Sequence, residues 1–289
     1  MPESRKITLA KYAGFCYGVK RAVETVEKLK QENPEKKVCV LGELIHNNDV
    51  IKSLADHGVK TIETLPDSGE GYCVIRTHGQ SPDVFEQIEN AGFIPYDLTC
   101  PDVKKVQQKA IELVQNGYYL IIVGKEEHPE VVAIKANALQ YGEKVIVATN
   151  IEQLKNFEEK LKENKKIGVV VQTTQMLSTL NPVVEFLTSV SKELIIYNTI
   201  CPSTSRRQKE AEEMAKENDL MIVVGSKNSA NTTHLADIAK KITNTIHIES
   251  EKELAQYKDI IDKTKKIGIT AGASTPQNII DKVIEELNK

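Results

Sequence analysis

The five cysteines of this 289-residue chain divide into two kinds by what surrounds them. Cys16, Cys100 and Cys201 stand in AGFCYGVKRAVETVEKL, LTCPDVKKVQQKAIELV and NTICPSTSRRQKEAEEMA. Each marks the junction of an extended segment with an amphipathic helix; in the first, Val19, Ala22, Val23 and Val26 fall at helical spacing. A helix N-terminus stabilises a thiolate through its dipole and its free N–H groups, which suits metal ligation and nucleophilic attack alike. Three thiolates brought to one point favour a metal, and thiolate-rich sites select zinc, copper(I) or iron–sulfur clusters. Complete clusters usually take four cysteines, so three leave one metal position open to a substrate. Cys39 and Cys73 lie inside the apolar runs VCV and YCVI and read as core residues, the commonest fate of a free cysteine.

The elements that must position the three cysteines repeat. After each cysteine helix comes a strand ending in glycine, VCVLG, LIIVG and MIVVG, so that Gly42, Gly124 and Gly225 follow their cysteines by 26, 24 and 24 positions. Four residues beyond each glycine stand His46, His128 and Ser229, and two further on Asn48, Glu130 and Asn231. A third strand then ends in another polar turn, at His78, at Thr173 and Thr174, and at Ser274, the last two strands introduced by the same KKIG. Strands alternating with helices predict right-handed βαβ units and parallel sheets, with the polar turns at the carboxyl edge where ligands bind. The expected fold is α/β: three pseudo-threefold-related lobes with mainly parallel sheets, a trefoil around a central cavity. The lobes are expected at 1–96, 97–194 and 195–280, with 281–289 a C-terminal tail.

Histidines, hydroxyls, an amide and helix N-termini around such a cavity would seat a phosphate or diphosphate. No GxxxxGK[ST] is present, which excludes a P-loop. Glu130, in HPEV, has two readings: an acidic residue that merely starts a helix after Pro129, or a buried acid poised to give a proton. His57, His234 and His247 lack counterparts at the repeated positions and read as solvated or structural. Net charge is -3, and the charged residues are mixed in sign, so no nucleic-acid-binding stripe is present and nucleic acid is not an expected partner. No apolar run approaches the roughly 20 residues of a membrane span, the start lacks a signal-peptide pattern, and the cytoplasm is the expected location.

Nine motifs in order, GFCYGVKRA, IHNNDV, RTHG, TCPDVKKV, HPEV, QTTQ, NTIC, GSKNSANT and TAGAST, give the chain a resemblance to the 4-hydroxy-3-methylbut-2-enyl diphosphate reductase family, LytB or IspH, over nearly its whole length. The resemblance implies one 4Fe-4S cluster per chain on Cys16, Cys100 and Cys201, its fourth iron taking the substrate hydroxyl. It implies diphosphate contacts from His46, His78, Ser229, Asn231 and Ser274, and a substrate-side role for His128. Thr173 and Thr174 would lie near the substrate hydroxyl, and Glu130 would donate the proton. Electrons would come from a reduced ferredoxin or flavodoxin, and the products would be isopentenyl and dimethylallyl diphosphate of the non-mevalonate (MEP) pathway. Ala230 departs from the family's SKNSSN pattern and leaves only a backbone N–H for the diphosphate. Three rivals predict other chemistry: a dehydratase needing no reductant, a binding protein with zinc closed by three thiolates and His128, and a sensor with a labile cluster.

Overall fold

The structure, a computed structural model, describes residues 5–289. The chain opens with β1 (Lys6–Leu9) and the cysteine helix α1 (Tyr17–Glu32). The first repeat then runs β2 (Val38–Leu41), α2 (Asn48–Asp56), β3 (Val59–Ile62), β4 (Tyr72–Ile75), α3 (Pro82–Asn90) and β5 (Ile94–Asp97). The second runs from α4 (Pro101–Gln115) through β6 (Tyr119–Val123), α5 (Pro129–Leu139), β7 (Val145–Ala148), the short α6 (Ile151–Lys155) and α7 (Glu158–Lys162), β8 (Lys166–Val171) and α8 (Leu177–Val190) to β9 (Glu193–Ile196). The third runs from α9 (Pro202–Glu217) through β10 (Leu220–Val224), α10 (Ala230–Lys240), β11 (Asn244–Ile248), a 3-10 segment (Glu251–Tyr257), α11 (Lys258–Asp262) and β12 (Lys266–Ala271) to α12 (Gln277–Leu287).

Among the described residues the strands form three four-stranded sheets, ordered β3-β2-β4-β5, β7-β6-β8-β9 and β11-β10-β12-β1. Every neighbouring pair is parallel, as the alternation of strand and helix predicts. In each sheet the first and third strands of a repeat are neighbours, and chain order reverses between them. That is the switch point at which open α/β sheets leave a crevice beyond the strand ends.

Sheet pairing corrects the expected division. Residues 1–96 are not one lobe, because β1 pairs with β12, from Lys6 opposite Lys266 to Leu9 opposite Ile269. The cuts expected after 96 and 194 fall inside the edge strands β5 and β9. Four-residue edge strands carry little pattern in sequence, and only their backbone partners reveal which sheet they finish. Residues 281–289 are no tail, since α12 runs through Leu287 and buries Val283 and Leu287. By compactness the chain forms two units. One comprises residues up to Arg21, Ile45–Ser53 and Pro202–Lys289 and holds the sheet of β10 and β12. The other comprises Ala22–Leu44 and Leu54–Cys201 and holds the other two sheets.

The central strands are almost wholly apolar because both faces are covered; the exceptions are Lys166 and Lys266 at the exposed starts of β8 and β12 and the buried Thr270 of β12. In the larger unit Ile121, Val123, Val169 and Val171 pack with Leu180, Val183 and Leu187 of α8. On the opposite face Leu120, Ile122 and Val170 pack with Val106, Ala110 and Leu113 of α4. In the other unit Ile222, Val224, Ile267 and Ile269 pack with Ile280 and Val283 of α12. Cys39 and Cys73 are buried register partners on β2 and β4, core residues as expected.

The repeated KKIG has a steric cause in its glycine. A Cβ on Gly168 would lie 2.6 Å from a Leu113 methyl carbon of α4, and one on Gly268 2.5 Å from the Met221 sulfur. Gly168→Val should therefore overpack the α4–β8 contact and cost about 1–3 kcal/mol. Urea unfolding should show a lower midpoint at an unchanged slope.

Candidate active site

The candidate residues divide between the two units. Cys16, His46, Ser229, Ala230, Asn231 and Ser274 lie in one; His78, Cys100, His128, Glu130, Thr173, Thr174 and Cys201 lie in the other. The three cysteines are in no disulfide and are half-buried, unlike the buried Cys39 and Cys73. Each is held by the same kind of backbone bond to the polar turn after a third strand. Cys16 N–H donates to the Ala273 carbonyl at 3.1 Å, Cys100 N–H to Thr77 at 3.0 Å, and Cys201 N–H to Thr173 at 3.0 Å. Each also stands just before a helix: Cys100 is the N-cap of α4, Pro202 follows Cys201 at the start of α9, and the Cys16 sulfur accepts the Val19 N–H at 3.4 Å. Proline directly after two of them is compatible with a first helical position, whose N–H has no helical partner anyway.

In the smaller unit two loops meet at the carboxyl ends of β10 and β12. Gly225 and Gly272 make the approach possible: a Cβ would lie 2.3 Å from the Thr275 hydroxyl at Gly225 and 1.9 Å from the Thr232 hydroxyl at Gly272. Ser229 caps α10, its Oγ accepting from Thr232 N–H, and Ala230 opens the helix. Asn231 is buried, yet neither its amide oxygen nor its amide nitrogen has a hydrogen-bond partner among the described residues. An unsatisfied buried amide is costly, and a polar ligand is the usual reason for keeping one. Ser274 Oγ donates to the His46 carbonyl at 3.3 Å, drawing the His46 loop to the same sheet edge. Asn48, which the repeat aligns with Asn231, is exposed, and the neighbouring Asn47 caps α2 instead by accepting from Val50 N–H at 3.1 Å.

In the larger unit the centre is Glu130. Its side chain is only 2% exposed. One carboxylate oxygen accepts the Thr173 N–H at 2.6 Å, and the other lies 2.7 Å from the Thr173 hydroxyl. Burial raises its pKa from the ordinary 4.5 to about 7, against the two Thr173 hydrogen bonds, which pull it down. His128 caps α5, its Nδ1 accepting the Glu130 N–H at 3.2 Å, so a neutral His128 carries its proton on Nε2. The rings of His78 and His128 meet edge to face at 5.4 Å. Glu130 thus sits in the first turn of α5 and is also a buried acid.

Thr173 is the hub of this group: its amide and hydroxyl hold Glu130, and its carbonyl accepts from Cys201. Thr174 accepts from the side chain of Gln172 at 3.0 Å, and Gln172 in turn accepts the Lys125 N–H at 3.1 Å. Gln172 is fully buried, and its place within QTTQ gives no local sign of its bonds to Lys125 and Thr174.

A protein-family model described as LytB protein matches residues 7–288. A 4-hydroxy-3-methylbut-2-enyl diphosphate reductase of Clostridium perfringens (strain SM101 / Type A) is 41% identical over 99% of this chain and 99% of its own length. The enzyme of the same name from Syntrophotalea carbinolica is 40% identical over 98% of both. A solved structure of (E)-4-hydroxy-3-methyl-but-2-enyl diphosphate reductase, the terminal enzyme of the non-mevalonate pathway, superposes with a TM-score of 0.73 at 37% identity, covering 98% of this chain and 99% of that one. The corresponding Plasmodium falciparum reductase superposes with a TM-score of 0.90 at 28% identity, covering 99% of this chain and 89% of that one. Fold and site thus define a three-sheet α/β enzyme with cysteines at helix N-termini and a buried acid. The chain belongs to the LytB family, as the nine ordered motifs predict.

Glu130 makes folding stability depend on pH with a definite sign. Between pH 4.5 and about 7 the folded chain keeps a proton that the unfolded chain has lost, so this group's contribution weakens as pH rises and is constant above that window. Glu130→Gln keeps a hydrogen-bonding carboxamide without the charge. It should be more stable than the parent at pH 8 by about 1–3 kcal/mol, with the gap closing toward pH 4. Denaturant midpoints across that range read the difference.

Proposed function

We propose that this chain carries out the reductive dehydroxylation of 4-hydroxy-3-methylbut-2-enyl diphosphate to isopentenyl and dimethylallyl diphosphate, the last step of the non-mevalonate isoprenoid pathway. Curated relatives that align end to end bear the reductase name, and the family model spans the chain. The observation that carries the reading is a carboxyl group kept protonated near neutral pH by burial and bound through Thr173 to a cysteine turn.

Cys16, Cys100 and Cys201 would hold one 4Fe-4S cluster. The donor set fits: three half-buried cysteines outside any disulfide at helix starts, each secured by an N–H bond to a third-strand turn, with the other two cysteines locked in sheet interiors. Bound there, the cluster supplies electrons and, through an iron without a protein ligand, an acid toward the leaving hydroxyl.

The chain's own residues do the rest. His46, Ser229, Asn231 and Ser274, with the free N–H groups of α10, take the diphosphate, and the Asn231 amide nitrogen gains the acceptor it lacks. Ala230 offers its backbone N–H alone. His78 adds a further diphosphate contact, His128 faces the substrate, and the hydroxyls of Thr173 and Thr174 orient the substrate hydroxyl. Glu130 delivers the proton, and Thr173 holds it in line for that transfer. Reduced ferredoxin or flavodoxin would serve as electron donor. Among the described residues no helix is long and apolar enough to cross a membrane.

Anaerobic protein with a chemical reductant should convert the hydroxylated diphosphate, and Glu130→Gln should lose about 10²–10⁴-fold in turnover, the usual worth of a positioned acid. The rate should fall as pH rises through about 7, where Glu130 gives up its proton. Asn231→Ala should raise KM by about 10–100-fold with kcat largely kept, since it removes hydrogen bonds to a charged group. Turnover without any reductant would mark a dehydratase, and zinc without sulfide would sink the cluster.

A further inference from the structure

Arg207 is a buried cation in the wrong place for a helix–sheet contact. It lies six residues after Cys201, where the other two cysteine helices carry the fully buried Ala22 and Val106. On α9 it belongs to the inward stripe of Thr204, Ala211, Met214 and Ala215. Its two terminal guanidinium nitrogens reach backbone and hydroxyl oxygens. One terminal nitrogen donates to the Gly14 carbonyl at 2.6 Å; the other donates to the Ser203 carbonyl at 3.2 Å and to the Ser203 hydroxyl. Gly14 is two residues before Cys16, and Ser203 two residues after Cys201. One turn further along α9, the Glu210 carboxylate accepts the N–H groups of Lys11 at 2.7 Å and Tyr12 at 3.0 Å. Two side chains of one helix thus grip the loop that carries Cys16 at three backbone points.

That loop has a particular need for a grip. The edge strands before Cys100 and Cys201 follow directly on the repeats whose sheets they finish, whereas β1 finishes a sheet whose other strands lie more than 200 residues away in the chain. Chain connectivity does little to place Cys16, so non-covalent contacts must do it.

We propose that Arg207, with Glu210, is a positioning clamp that sets the Cys16 turn against the start of α9, and so holds one of the cluster-ligating cysteines in place. The inference rests on the cysteine assignment proposed above. Arg207 touches neither substrate nor reacting atoms; it acts through the backbone on either side of the thiols.

Full-length wild type, R207M, R207K and E210Q are purified anaerobically and assayed for iron, sulfide, the spin-resonance spectrum of the reduced protein and the rate of iron release to a chelator. Metal-free R207M should fold but unfold at a somewhat lower temperature than wild type, since an apolar side chain of similar length fills the space while the Gly14 and Ser203 carbonyls lose a donor. Loaded R207M should release iron about 10–100-fold faster, the range seen when support of a metal ligand is removed, and with an altered spectrum. R207K should fall between it and wild type. Loaded wild type with R207M releasing iron at the same rate and with the same spectrum overturns the clamp alone. Wild type lacking iron and sulfide overturns the cysteine assignment and the clamp together. Should R207M not fold, E210Q decides: faster release supports the clamp, and the wild-type rate with the wild-type spectrum overturns it.

Discussion

Parallel strands covered on both faces leave polar groups nowhere to stand except at the strand ends, and this constraint organises the protein. β6 and β10 are apolar from end to end, β8 is apolar after Lys166, and their polar sequels begin at the first turn beyond the sheet. The strand order then decides which turns are neighbours. Because the first and third strands of every repeat lie side by side, the glycine turn of one and the hydroxyl turn of the other share one edge. In the sheet of β10 and β12 the approach is so close that Gly225 and Gly272 admit no side chain.

A buried carboxyl group is the most expensive feature built on that edge. Glu130 has Thr173 for hydrogen bonding, and burial outweighs those bonds, so the proton is held near neutrality. The same arrangement weakens the fold as pH rises. Thr173 is economical in this role, since one residue serves the acid through its amide and hydroxyl and the cysteine turn through its carbonyl. Asn231 shows the complementary case, a buried amide whose hydrogen-bonding capacity the described residues leave unused.

The N-terminal strand brings a second constraint. A repeat of strand, cysteine and helix closes on itself only if the last sheet recruits its edge strand from the beginning of the chain, which β1 does against β12. The cysteine that follows is then placed by contacts rather than by connectivity, and α9 supplies them through Arg207 and Glu210. The surface arginine beside it, Arg206, shares the sequence context of Arg207 and none of its burial.

Much of this was legible beforehand because it is local. Apolar strands, amphipathic helices and the recurring cysteine, glycine and polar turns are periodic signals, and they carried the α/β class, the three sheets and the separation of Cys16, Cys100 and Cys201 from Cys39 and Cys73. The motifs in order carried the family. Tertiary structure alone decided which sheet Lys6–Leu9 completes, that residues near the C-terminus finish a core helix, and that Asn47 rather than Asn48 is the buried amide of its loop. It alone decided that Glu130 is bound by Thr173, and that one of two adjacent arginines turns inward. The physical reason is common to all of these. Pairing of an edge strand and burial of a charge depend on partners distant in the chain, and a side chain's own sequence neighbourhood carries no record of them.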